Sequence, residues 1–143
     1  MSEGRVLLVD DEEEYVETLS ERMEARGLTV TVAKDGPTAL ERASDGTYDV
    51  VFLDLRMPGM DGLETLKRLR EHNPDLEVIM VTGHATVEKG VEAIKLGASD
   101  LIEKPADIKD LVERVKEAHS ERLVVLEERN EEKVREILAR KGW

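Results

Sequence analysis

The chain has 143 residues, a formal net charge of −12 and no cysteine. One domain of this length can bury a core without covalent staples, disulfide and thiolate chemistry are excluded, and so acidic a chain is a poor non-specific ligand for DNA or RNA phosphates. The N-terminal apolar run Val6–Val9 is too short for a signal peptide or a membrane span and is followed by acids. The expectation is therefore a soluble cytoplasmic protein with no nucleic-acid or membrane partner. A basic protein patch or a divalent cation remains compatible with the charge.

Arg5–Asp10 (RVLLVD) reads as a buried strand. Glu12 to Arg26 reads as a helix with Tyr15, Val16, Leu19 and Met23 on one face, stopped by Gly27. Leu28–Ala33 is a strand whose alternation predicts one wetter face, and Gly36–Ser44 is a short helix with Ala39, Leu40 and Ala43 inward. Tyr48–Asp54 is a strand, then Leu63 to His72 a helix with Leu63, Leu66 and Leu69 three apart. Leu76–Val81 is a strand. Thr86 to Leu96 is a helix, closed by Gly97, with Val87, Val91, Ile94 and Ala93 assigned to the core. Asp100–Glu103 is a short strand, and Ile108 to His119 a helix carrying Leu111, Val112 and Val115. His72, His84 and His119 match no metal-ligand spacing and read as surface or packing residues.

Five strand-then-helix units with near-continuous apolar strands predict an α/β fold, a doubly wound five-stranded parallel sheet with helices on both faces. Ligands of such sheets sit beyond the carboxyl ends of the strands. There the first strand stops at Asp10 and Asp11, the third at Asp54, the fourth at Val81-Thr82-Gly83 and the fifth at Lys104-Pro105. Three neighbouring carboxylates raise one another's pKa, and Mg²⁺ is commonly held by one or two carboxylates together with water and phosphate oxygens. A lysine ammonium and a threonine hydroxyl suit phosphoryl oxygens. Together they make a site for phosphoryl transfer onto an aspartate. Taken singly, Asp10 also reads as a helix cap, Thr82 as a turn residue and Lys104 as a surface lysine. Their joint placement on one rim argues for the site.

The segments LLVDDEEE, DVVFLDLRMPGMDG, VIMVTGHATVE and GASDLIEKP stand in this order across residues 5 to about 119. In these the chain resembles the receiver domain of two-component response regulators. The wording TGHATVEKGVEAIKLGA is similar to receivers attached to enhancer-binding transcription activators. The resemblance implies a flavodoxin-like strand order 2-1-3-4-5 and a phospho-acceptor at Asp54. It also implies Mg²⁺ held by Asp10, Asp11, Asp54 and the backbone carbonyl of Arg56. Thr82 would bond the phosphoryl group and switch position, Lys104 would pair with it, and the Lys104–Pro105 bond would be cis. The implied donor is a histidine kinase or phosphotransfer protein, and an unknown downstream protein reads the switched surface. Competing readings are a Mg²⁺-dependent aspartyl-phosphate phosphohydrolase and a non-catalytic interaction module acting through the C-terminal helix. Phosphohydrolases of that class carry an aspartate two residues after the nucleophile, where this chain has Arg56.

The chain departs from the family's usual pattern at Leu101, where Tyr or Phe is common, and at Ala106, where Phe is common. Leucine has no ring to swing toward the threonine, so switching is expected to use the loop after Thr82 and the Thr86–Leu96 helix. Arg56 and His84 are expected to flank the phosphoryl group and tune its lifetime. Residues 1–119 form the expected receiver and 120–143 a helical extension of six acids and six bases, so the receiver part carries the whole −12. Leu123, Leu126, Asn130, Val134 and Ile137 recur three or four apart, Glu131–Arg135 and Glu136–Arg140 are favourable helical pairs, and the last helix is expected to run to about Arg140. Arg122 and Arg129 interrupt a heptad seam. A dimer helix, a helix that docks onto a partner and a linker toward an output domain are all open readings of its exposed apolar residues, with a homodimer favoured. Gly142 is expected to end the helix, and Trp143 is a candidate anchor.

Overall fold

A computed structural model describes residues 2–140. The elements run β1 (Arg5–Val9), α1 (Glu13–Glu24), β2 (Thr29–Ala33), α2 (Gly36–Asp45), β3 (Val50–Leu53), α3 (Gly62–His72), β4 (Val78–Thr82), α4 (Val87–Lys95), β5 (Asp100–Glu103) and α5 (Ile108–Arg140). The five strands form one parallel sheet in the order β2-β1-β3-β4-β5. The strand order and the long last helix are those expected. The expectations for Gly142 and Trp143 lie outside the described residues.

Alternate residues of a strand face opposite sides, and both sides of this sheet are covered. Leu7, Val9, Val51, Leu53 and Met80 pack against α2 and α3 through Ala39, Leu66 and Leu69. Val6, Leu8, Val50, Phe52 and Ile79 pack against α1 and α5 through Val16, Leu19, Met23, Leu111 and Val115. Burial on both faces explains why β1, β3 and β4 read as unbroken apolar runs. The edge strand β2 is only partly buried along most of its length, on both faces rather than on one.

Local chemistry fixes the element ends. Glu13 and Glu14 lie in the first turn of α1, where they complement the helix dipole, and Gly27 leaves that helix at φ +91. Asp35, Asp61 and Thr86 cap α2, α3 and α4 by accepting the N–H groups of Thr38, Glu64 and Lys89.

One face assignment is corrected. On α4 only Ala93 is fully buried, whereas Val87, Val91 and Ile94 are 87%, 49% and 52% exposed. The i, i+4, i+7 stripe that reads as core points outward. The small Ala93 side chain lets the helix lie close to the sheet. Together with Leu101 of β5, the outward stripe lines an apolar groove.

α5 is held where it leaves the sheet. Asp49, buried just before β3, accepts the Arg5 N–H at 2.7 Å and pairs with His119 Nδ1 at 3.0 Å. The Arg122 guanidinium forms an ion pair with its other oxygen at 3.1 Å. Beyond this clamp Leu123, Val124, Val125, Leu126 and Val134 are exposed. No helix among the described residues is long and apolar enough to cross a membrane.

Candidate functional site

The sheet places the chemistry by continuing its own hydrogen-bond ladder one residue past the strands. Asp10 donates its N–H to Ala33 O at 3.1 Å, Asp54 donates to Val9 O at 3.0 Å, and Lys104 donates to Thr82 O at 2.9 Å. Each strand pins the next, so the side chains converge on the carboxyl-end rim. Gly62 closes the loop after Asp54: its N–H reaches Leu55 O at 2.9 Å, and a β-carbon there would overlap the Asp54 carbonyl oxygen.

Asp10 and Asp54 are each only 3% exposed, and Thr82 is fully buried. Lys104 Nζ lies 2.7 Å from Asp10 Oδ2, 3.0 Å from Glu12 Oε1 and 3.9 Å from Asp54 Oδ2. It also stands 4.4 Å from the centre of the Tyr15 ring. The other Asp10 oxygen accepts the Glu12 N–H at 2.9 Å, so Asp10 shapes the turn into α1 while it faces the site. Thr82 Oγ1 accepts the His84 N–H at 3.1 Å. The Lys104–Pro105 peptide bond is cis.

Burial raises the Asp10 pKa above the ordinary carboxylate value, and the nearby Asp54 charge adds to this. Hydrogen bonds from Lys104 and from the Glu12 N–H oppose it without cancelling it. Burial depresses Lys104, but the hydrogen bonds and charges of Asp10 and Glu12, with the Asp54 charge, outweigh it and hold the lysine above its usual value. Tyr15 is pushed up chiefly by burial.

The residues fit a divalent cation. Oxygens of Asp10, Glu12 and Asp54 lie within 4.8 Å of one another, and Asp54 Oδ1 is buried without a hydrogen-bond partner among the described residues. An unpaired buried carboxylate oxygen is costly, and hard cations take such oxygens. Asp11 and Arg56 are exposed and stand outside this cluster of oxygens, lining an open cavity of about 420 Å³ with Met57, Pro58, Asp61 and Lys89. The Arg56 guanidinium meets His84 Nδ1 at 3.5 Å.

Thus Asp10, Asp54, Thr82 and Lys104 come together, Asp11 and Arg56 stand at the edge, and Glu12 and Tyr15 join unforeseen. The acid run Asp10-Asp11-Glu12 carried a signal for Glu12. Nothing in the sequence pattern pointed Tyr15 at the lysine.

The family model described as the response regulator receiver domain matches residues 6–116. The chain belongs to this family. It is 42% identical over 108 residues to the regulatory protein AtoC of Escherichia coli (strain K12), covering 76% of this chain and 23% of that protein. It is 36% identical over 118 residues to the uncharacterized transcriptional regulatory protein YkoG of Bacillus subtilis (strain 168), covering 82% of this chain and 52% of that protein. The receiver thus spans about a quarter to a half of these curated relatives. Among solved structures, a CheY-like receiver domain protein from Methanospirillum hungatei JF-1 superposes with TM-score 0.78 at 30% identity, covering 82% of this chain and 94% of that one.

Proposed function

We propose that this receiver takes a phosphoryl group from the phosphohistidine of a histidine kinase or phosphotransfer protein onto Asp54. In the step an Asp54 carboxylate oxygen bonds to phosphorus, the phosphorus–nitrogen bond to the imidazole breaks, and that imidazole keeps the electron pair and takes up a proton. The observation that carries the reading is Asp54 itself: a buried carboxylate with one unpartnered oxygen, at a strand end, 3.9 Å from a lysine. Asp10, Glu12 and Asp54 offer the closest ligand oxygens for Mg²⁺, with Asp11 and the Arg56 carbonyl as the family's further ligands. When bound, that ion supplies positive charge against the phosphoryl oxygens. Lys104 exchanges part of its contact with Asp10 and Glu12 for the incoming phosphoryl oxygens, and Thr82 turns its hydroxyl toward them.

Two surfaces are available to report the change. One is the groove between α4 and β5, where Leu101 takes the place of the family's usual aromatic and the loop after Thr82 leads into α4. The other is the C-terminal half of α5, as a self-association surface.

Incubation with acetyl phosphate and Mg²⁺ tests the reading, followed by intact-mass measurement. A stable gain of one phosphoryl group, absent in Asp54→Asn and after chelation, is expected. Rapid turnover of organic phosphates with no stable adduct would point to a phosphohydrolase. Neither adduct nor turnover would leave an interaction module.

A further inference from the structure

We propose that the exposed half of α5 pairs with the same helix of a second copy, in parallel, along Leu123, Leu126, Asn130, Val134 and Ile137. This deepens the reading of that helix as a self-association surface and does not depend on phosphorylation of Asp54.

The stripe is continuous with the receiver core. Val112, Leu123 and Val134 stand eleven residues apart, as do Val115, Leu126 and Ile137, and as do His119 and Asn130. An eleven-residue period keeps one face of a nearly straight helix in line, which is why a search for sevens finds the seam interrupted. In the first stretch of α5 this face lies on the sheet, with Val112 and Val115 buried. Past His119 the sheet ends and the same face runs on away from the core, leaving Leu123, Leu126 and Val134 51%, 44% and 55% exposed and Ile137 half-buried.

Charge selects the occupant and its direction. At about 100° per residue, Glu127 and Glu131 fall on one flank of the stripe, and Arg129 and Lys133 on the other. In a parallel pair the acidic flank of each helix meets the basic flank of its partner. An antiparallel pair sets acid against acid and base against base. The extension is therefore complementary to itself in one orientation only. Asn130, at the middle of the seam, meets its own counterpart, and a single amide at such a position fixes register. Val124 and Val125 lie off the seam.

Sedimentation velocity of the full chain over a range of concentrations, without phosphodonor, tests the proposal. A reversible dimer is expected for the full chain and for the off-seam variant Val125→Glu, and a monomer for Leu126→Glu. Circular dichroism checks that each variant keeps its helix. Glu127→Lys with Glu131→Lys sets base against base and weakens the dimer on the order of tenfold or more. Adding Arg129→Glu with Lys133→Glu restores it. These exposed substitutions decide the matter even if Leu126→Glu fails to fold. The chain lacks cysteine, so an introduced thiol reports direction: Leu123→Cys alone oxidises to a cross-linked dimer in a parallel pair. A monomer at every concentration, or a dimer indifferent to both Leu126→Glu and the charge exchange, overturns the proposal. So does a disulfide that forms only when Leu123→Cys is mixed with Ile137→Cys. Loss of Asp54 phosphorylation leaves these measurements untouched, so failure here and failure of the phospho-acceptor reading are separable.

Discussion

Asp10 and Lys104 are the best-matched pair in the site, yet they respond to protons in opposite ways. Asp10 titrates above 3.8 in the folded chain, because burial penalises its charge. Its contribution to stability is therefore full below 3.8 and is lost as the pH rises through the raised value. At neutral pH its carboxylate is a net cost, kept for the site. Asp10→Asn is expected to raise the melting temperature at pH 7, with the advantage fading below pH 3.8, where the native carboxyl is itself neutral. Lys104, held above 10.5, stabilises the fold through neutral pH and loses that contribution as the pH rises through its elevated value. Arg56 and His84, in contact at 3.5 Å and each two residues past a site residue, Asp54 and Thr82, are expected to set the phosphate lifetime if Asp54 accepts the phosphoryl group as proposed. Replacing either with alanine and timing dephosphorylation checks this, and unchanged rates would sink it. The sequence made Asp10, Asp54, Thr82 and Lys104 legible because each sits at a strand stop, and parallel strands share one rim. Glu12 and Tyr15 were not legible in the same way. They belong to the turn into α1 and its first residues, and their reach to Lys104 depends on how that helix approaches the sheet.

The strands were the easiest elements to read, because burial on both faces leaves continuous apolar runs. Helix faces are harder when a helix carries more than one apolar stripe, and α4 is such a case. Its larger side chains, Val87, Val91 and Ile94, look like core, while the buried position belongs to Ala93. Val91→Ala is accordingly expected to change stability by no more than about 0.5 kcal/mol. Ala93→Leu should overpack the sheet contact and cost roughly 1–3 kcal/mol. Urea denaturation of both variants checks the assignment, and the reverse ranking would refute it. The same geometry makes α4 and the loop after Thr82 the elements expected to move when a phosphomimic binds. Leu101 packs under Gly90 of α4 without an aromatic ring to couple to Thr82. An α4 unmoved between the free and phosphomimic-bound forms would count against this. Gly62, pressed against the Asp54 carbonyl, is the loop position where an added methyl group should displace Asp54. Gly62→Ala is expected to lose phosphorylation along with stability.

The fold as a whole ties its two ends together through Asp49, which lies at the end of the sheet opposite Asp54 and accepts from Arg5 while facing His119 and Arg122. Asp49→Ala strands those partners and is expected to cost about 2–4 kcal/mol in chemical denaturation. A variant as stable as the parent would show the clamp to be ornamental. That α5 runs unbroken from Ile108 to Arg140 was legible from spacing, whereas the clamp was not, because it joins residues 70 positions apart. The clamp also has a mechanical consequence. It acts as a fulcrum, and the stretch from His119 to Arg140 is a lever about 30 Å long at ~1.5 Å per residue. A tilt of only about 5° at Asp49, within the play of a packed helix, sweeps the far tip by roughly 3 Å. A sub-ångström rearrangement among buried side chains is thereby converted into a displacement that a neighbouring chain can feel.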